Sequence, residues 1–117
     1  MDYSPYKQAW RRRWAREAEA DREAAARARA VAARLANVLR VRHGARRVVL
    51  VGSLARGEFK ATSDIDLGVE GIPDDTFFRV DAELQRLADG FAIDLVPLES
   101  ADARFREDVD REGVELA

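Results

Sequence analysis

Cysteine is absent from this chain, and histidine occurs once, at His43. Disulfides, thiolate metal centres and His-rich zinc sites are thereby excluded. Any metal must be held by oxygen atoms, which favours magnesium or a similar hard cation. Long apolar runs are missing too: none approaches the roughly 18 residues needed to cross a membrane. The opening Met1-Asp2-Tyr3-Ser4-Pro5 has no apolar core behind it, so it does not read as a secretory signal, and a cytoplasmic location is expected. At 117 residues the chain has room for one domain with a modest core.

What is present is charge, and it is unevenly spread. Residues 1–47 hold 13 Lys/Arg and 5 Asp/Glu, whereas residues 48–117 hold 7 and 17. A net of +8 is followed by a net of −10, although the whole chain carries only −2. A basic arm thus precedes an acidic body. Such asymmetry marks an interaction surface or, equally, a solvated helix packed on its own acidic body.

The chain divides into alternating elements. Residues 6–42 read as one long helix or two, rich in Ala, Arg and Glu. Ser4 suits its cap, Pro5 its first position and His43-Gly44 its stop. Ala24, Ala28, Val31, Leu35, Val38 and Leu39 recur at helical spacing and should face a core. Upstream, Trp10 and Trp14 share a face that Glu17 and Asp21 continue, so this half projects or folds back. An extension over residues 1–23 and a body over residues 24–117 are expected. Strands are expected from Arg46 to Val51, Ser63 to Val69 and Phe91 to Val96. Helices are expected at Leu54 to Arg56, Asp75 to Ala88 and Ser100 to Arg111. This order predicts a small α/β (α+β) domain with helices packed on a sheet.

The chemistry concentrates in "GSLARGEFKATSDID", from Gly52 to Asp66. Residues two apart on a strand share a face, so Asp64 and Asp66 should project together while Ile65 and Leu67 enter the core. Like charges there gain nothing from the strand, but a divalent cation would compensate them. Asp94 is the one acid in an otherwise apolar strand, and an unpaired buried carboxylate is expensive. If the strands are neighbours, three carboxylates share one cation or two, as in two-metal phosphoryl-transfer sites. Gly52 permits a close backbone approach, and a short helix from Ser53 aims N–H groups at an anion. The Ser53 hydroxyl adds a donor. Arg56 and Lys60 are nearby cations. Singly, each feature is ordinary: Gly-Ser is usually a turn, Asp-X-Asp fits a solvent-facing edge, and Arg56 and Lys60 fit solvated cations. His43 reads as a helix-end charge rather than a ligand. The ordered combination describes a site for a metal-bound nucleoside triphosphate.

That combination resembles the nucleotidyltransferase signature, in which Gly-Ser precedes Asp-X-Asp by some ten residues. The form GSxARGxxxxxSDIDL is similar to the minimal nucleotidyltransferases, small members of the DNA polymerase β-like superfamily. "FAIDLVPL" supplies their third carboxylate, and the resemblance runs from about residue 30 to the closing "REGVELA". It implies a short mixed β-sheet flanked by helices, here with a long N-terminal helix added. It implies that Gly52 and Ser53 bind the triphosphate of ATP, with Arg56, Lys60 and Ser63 as further nucleotide-binding candidates. Asp64 and Asp66 would hold two Mg2+ ions, joined by Asp94, which would activate an acceptor hydroxyl. Minimal nucleotidyltransferases commonly pair with a separate HEPN RNase toxin, and in such pairs they can transfer AMP from ATP to a toxin tyrosine. The resemblance therefore implies an antitoxin with a HEPN partner in trans, in a hetero-oligomer. Neutralisation by binding alone, modification of aminoglycoside-type hydroxyls, and an RNA acceptor delivered by the basic arm are the other readings.

Overall fold

The computed structural model describes residues 4–117, and readings that rest on Met1, Asp2 and Tyr3 lie outside them. Helix α1 is continuous over Ser4–His43, 40 residues with no glycine or proline after Pro5 to interrupt it. Ser4 is already helical rather than the cap expected of it. The stop is as read: Gly44 takes a left-handed φ of 72°, and the Ala45 N–H closes on the Leu39 carbonyl at 3.0 Å.

Only the second half of α1 has a core to meet. Residues 4–20 are exposed throughout, and burial begins at Ala24. From there Ala24, Ala25, Ala28, Ala32 and Ala36 form a small-residue face that lets the helix lie close on the sheet, with Val31, Leu35 and Leu39 filling between. The first half projects, and the molecule reaches 66 Å in its longest dimension. At the other end, Glu83 receives Arg42 and His43, with His43 Nε2 and Glu83 Oε2 2.7 Å apart. His43 is thus a helix-end partner of the helix that carries Glu83.

The sheet order is β3-β2-β1-β4, from β1 (Arg47–Val51), β2 (Ile65–Glu70), β3 (Ile93–Pro97) and β4 (Val114–Glu115). β1 runs antiparallel to β2 and β4, while β2 and β3 are parallel, so the sheet is mixed. Between the strands lie α2 (Gly52–Arg56), α3 (Phe77–Leu87), a 3-10 turn at Leu98–Ser100 and α4 (Ala103–Glu112). Alternation splits the strands between two faces. Val48, Leu50, Ile65, Leu67, Val69, Ile93 and Leu95 join the core with α1 and α3. Val49 and Val51 face the other side, where Val109 and Phe105 of α4 and Leu98 of the 3-10 turn cover them. Phe105 and Val109 therefore share a face.

Several boundaries differ from the reading. β2 begins at Ile65, so Asp64 stands just before the strand. α3 begins at Phe77, because the Pro73 carbonyl takes both the N–H and the hydroxyl of Thr76 in a tight turn. β3 begins at Ile93, after Asp89 and Gly90 turn through positive φ. There the Gln85 amide acts as a strand partner, accepting from the Ile93 N–H at 3.2 Å and donating to its carbonyl at 2.6 Å. α4 begins at Ala103, capped by the Asp102 carboxylate on the Phe105 N–H. The loop between α2 and β2 runs over residues 57–64, two residues further than the strand expected from Ser63 allows, and it is anchored: Phe59 is buried against Phe91, and Asp21 accepts from the Ala61 N–H at 2.9 Å.

Candidate active site

The end of the sheet where β1 finishes and β2 and β3 start carries the candidate site. Register places Val51 opposite Asp66, and Asp66 opposite Asp94. The three share the α4 face, which α4 covers only in part. Asp64 enters from the end of the loop, positioned by a turn in which the Ser63 N–H reaches the Lys60 carbonyl at 2.9 Å and the Ser63 hydroxyl accepts from the Lys60 N–H at 3.0 Å. Gly52 follows Val51, so the Gly-Ser pair sits directly above Asp66.

These elements enclose a cleft of about 550 Å³. Gly52, Ser53, Arg56, Ser63, Asp64, Asp66 and Asp94 all line it. Lys60 does not, and its backbone is occupied with Ser63. The sequence reading missed Asp108 and Glu112, which reach the cleft from α4 together with Phe105. Glu112 lies in the closing "REGVELA", to which no role was attached, and Asp108 had no signal at all.

Burial corrects one expectation. Asp94 was expected to be a buried carboxylate, yet it is exposed because β3 is an edge strand and its α4 face is open there. The desolvated carboxylate is Asp66, on β2, an inner strand. Burial first, then the charges of Asp94 and Asp64, push its pKa up to about 6; Arg56 opposes this and Glu112 adds to it. A group so perturbed in a cleft by burial and named neighbours is a functional candidate.

Gly52 explains itself in the same geometry. Its φ is +78°, and a Cβ added there would fall on the Asp66 carboxylate, 3.1 Å from Cγ. The close approach that glycine permits is therefore first of all to Asp66. The Gly52 N–H donates to Glu112 Oε1 at 3.2 Å, and Arg56 Nη1 donates to the same oxygen at 3.2 Å. Arg56 Nε also donates to Glu58 at 3.0 Å. Donors for an anion and carboxylates for a cation thus face each other across one cleft.

A divalent cation fits this donor set in charge and in ligand type. Asp66 has lost water without gaining a full counter-charge, and a cation would restore it. Among the described residues no three acids or imidazoles already close into a metal cage. The carboxylates converge on the cleft and leave it open.

The fold and cleft define a nucleotidyltransferase-type domain. The family described as polymerase beta nucleotidyltransferase matches residues 34–117, and the chain belongs to it. A solved structure described as a minimal nucleotidyltransferase is 37% identical, with 74% of this chain and 89% of that one covered at a TM-score of 0.59. A toxin–antitoxin complex with AMP-PNP contains a chain that is 23% identical, with 73% and 72% covered and a TM-score of 0.63. A complex of the tri-AMPylated Shewanella oneidensis HEPN toxin with its MNT antitoxin gives 22%, 76% and 71%, and 0.59. No curated protein matches the chain. No helix among the described residues is long and apolar enough to cross a membrane.

Proposed function

We propose that this chain is a nucleotidyltransferase antitoxin that transfers AMP from Mg-ATP to a hydroxyl, a tyrosine of a HEPN RNase toxin, and so neutralises it. The observation that carries the reading is the pairing of Asp66 with Asp94 across parallel strands, with Asp64 in the same cleft and the Gly52 and Arg56 donors opposite. The family membership supports the reaction class. The AMPylated toxin in a complex of the same fold supports the acceptor.

In this reading Asp64 and Asp66, with Asp94 beside them, hold the magnesium. When bound, magnesium neutralises the phosphates and makes the acceptor hydroxyl easier to deprotonate. The residues of the chain do the rest. Gly52, Ser53 and Arg56 hold the triphosphate tail, and Ser63 sets Asp64. Asp94, exposed at the sheet edge, faces an incoming acceptor and takes the hydroxyl proton. The acceptor oxygen bonds to the α-phosphorus, the bond to the β-phosphate breaks, and pyrophosphate leaves. Incubating the chain with Mg2+, radiolabelled ATP and a HEPN toxin is expected to add AMP to a toxin tyrosine, seen by mass spectrometry. A tight complex without the adduct would replace transfer by neutralisation through binding.

One observation favours a binding role alongside the chemistry. Tyr6, Trp10 and Trp14 line one stripe of α1 and are 68%, 52% and 61% exposed. Residues 4–16 include five Lys/Arg and no acid. Trp, Tyr and Arg are the residues that dominate contact energies. We assign residues 1–23 to partner contact and residues 24–117 to the nucleotidyltransferase body. Deleting residues 1–20, which keeps the Asp21 bond to Ala61, is expected to leave thermal stability and Mg-ATP binding unchanged. It should weaken the toxin complex by about tenfold or more, the scale of one or two hot spots. Unchanged toxin affinity, measured by calorimetry, would free the arm of this role. RNA binding that falls steeply with salt would assign the arm to nucleic acid instead.

A further inference from the structure

The cleft already contains an anion, and it belongs to the chain. Glu112 ends α4, 60 positions beyond Gly52. Its Oε1 accepts from the Gly52 N–H and from Arg56 Nη1, both at 3.2 Å, and its Oε2 accepts from Arg56 Nη1 at 3.3 Å. The Glu112 side chain is only 10% exposed, whereas that of Arg56 is 42% exposed. The remaining ionisable groups of the lining are Asp64, Asp66, Asp94 and Asp108, so Arg56 is the one cation among the described lining residues. A fifth carboxylate in such company is repelled by its neighbours. It sits there because the Gly52 N–H and the Arg56 guanidinium are the donors available to it, and a charge-assisted bond outweighs the repulsion.

We propose that Glu112 is a placeholder for nucleotide phosphate: it occupies the anion position of the cleft until the triphosphate of Mg-ATP displaces it. This rests on the nucleotide-binding reading above and deepens it. Binding is then an exchange of one anion for another. Only a ligand that brings phosphate together with a cation for the Asp cluster offers more than the carboxylate does. A neutral nucleoside has nothing to exchange. The backbone beyond Glu112 is anchored. A Cβ on Gly113 would lie 2.7 Å from Val49 Cγ1, and β4 pairs Glu115 with Val49. The carboxylate therefore leaves by side-chain rotation, with α4 and β4 staying in place.

The test is isothermal calorimetry of the whole chain and its E112Q variant with Mg-ATP, magnesium tripolyphosphate and adenosine. E112Q keeps the shape and removes the charge. It is expected to bind Mg-ATP and tripolyphosphate about tenfold tighter, the scale of one charge-assisted hydrogen bond no longer in competition. Adenosine binding should not change. If E112Q melts below the parent, E112D takes its place. It keeps the charge but draws it back by one methylene, and it should gain affinity in the same direction. Equal or weaker phosphate binding by a stably folded variant would show that Glu112 instead positions Arg56, and the placeholder falls. A gain for adenosine as well would reflect a loosened cleft and would overturn the inference too. If neither parent nor variant binds Mg-ATP, the nucleotide reading fails and takes this one with it. If the parent binds and the variants gain nothing, only the placeholder is lost.

Discussion

Asp66→Asn is expected to end nucleotidyl transfer and, at the same time, to raise the melting temperature of the metal-free protein. The first effect follows from its place between Asp64 and Asp94 in the cleft. Loss of such a group should lower the rate by about 10³-fold, the upper range for removing one preorganised electrostatic contact. The second effect follows from the pKa of about 6, raised by burial and then by Asp94 and Asp64. Between the ordinary carboxylate value of 3.8 and about 6, the folded protein holds a proton that the unfolded chain has released. Stability therefore falls as pH rises through this window, and the penalty is complete above it. The full shift would correspond to about 3 kcal/mol at 1.36 kcal/mol per pH unit. Asp66 is only half-buried, so solvent screening reduces this to about 1 kcal/mol. That is a gain of about 4 °C for the Asn variant at pH 7.5, vanishing near pH 4. Added Mg2+ should stabilise the parent and leave the variant unmoved. Melting curves of both proteins across pH 4 to 8, with and without Mg2+, decide it. Identical curves would show that Asp66 is not a desolvated charge.

Strand periodicity and register explain why the core of the site was legible in the sequence. Ladder periodicity forces Asp66 onto the face opposite Leu67, and parallel register then needs only adjacency to set Asp94 beside it. Gly52 and Asp66 lie within one short segment whose strands are antiparallel neighbours, so their approach is a local matter. The same locality carried the helices and three of the strands.

What was not legible depends on contacts distant in the chain or on which edge of a strand is covered. Glu112 reaches Gly52 across 60 positions, and nothing in its own neighbourhood shows that. β4 is two residues long and exists because β1 offers it an edge at Val49 and Leu50. No period can be seen in two residues. Asp94 reads as buried from its apolar neighbours Ile93 and Leu95, yet those point to the α1 face while Asp94 points to an open one. Phe59 looks like a loop residue, but it is a core residue, packed edge-on against the Phe91 ring 32 positions away. Arg56 and Lys60 were equal candidates four residues apart. One turn of α2 carries Arg56 to the cleft, and the tight Lys60–Ser63 turn keeps Lys60 out of its lining.

Replacing Gly52 by alanine should be the most damaging single-methyl change in the protein, for two separable reasons. The left-handed φ of +78° costs any L side chain about 1–2 kcal/mol. The new Cβ also falls on the Asp66 carboxylate, and buried overlap of this kind costs about 1–3 kcal/mol in displaced side chains. The sum, about 2–5 kcal/mol, is a large fraction of the roughly 5–15 kcal/mol that holds a domain folded. Mg-ATP binding should be lost even where folding survives, because Asp66 must move away from Asp94. The two contributions come apart in a double-mutant cycle. In an Asp66→Ala background the methyl has no carboxylate to meet, so Gly52→Ala should cost only the backbone part. The coupling should be about 1–3 kcal/mol, the range for residues in direct contact. In an Asp66→Asn background the amide is as large as the carboxylate, so the coupling should be nearly absent. Urea unfolding of the six proteins measures this directly. A cost for Gly52→Ala that is the same in all three backgrounds would mean that only φ matters. A cost relieved equally by Asn and by Ala would mean that charge, not space, is what glycine accommodates beside Asp66.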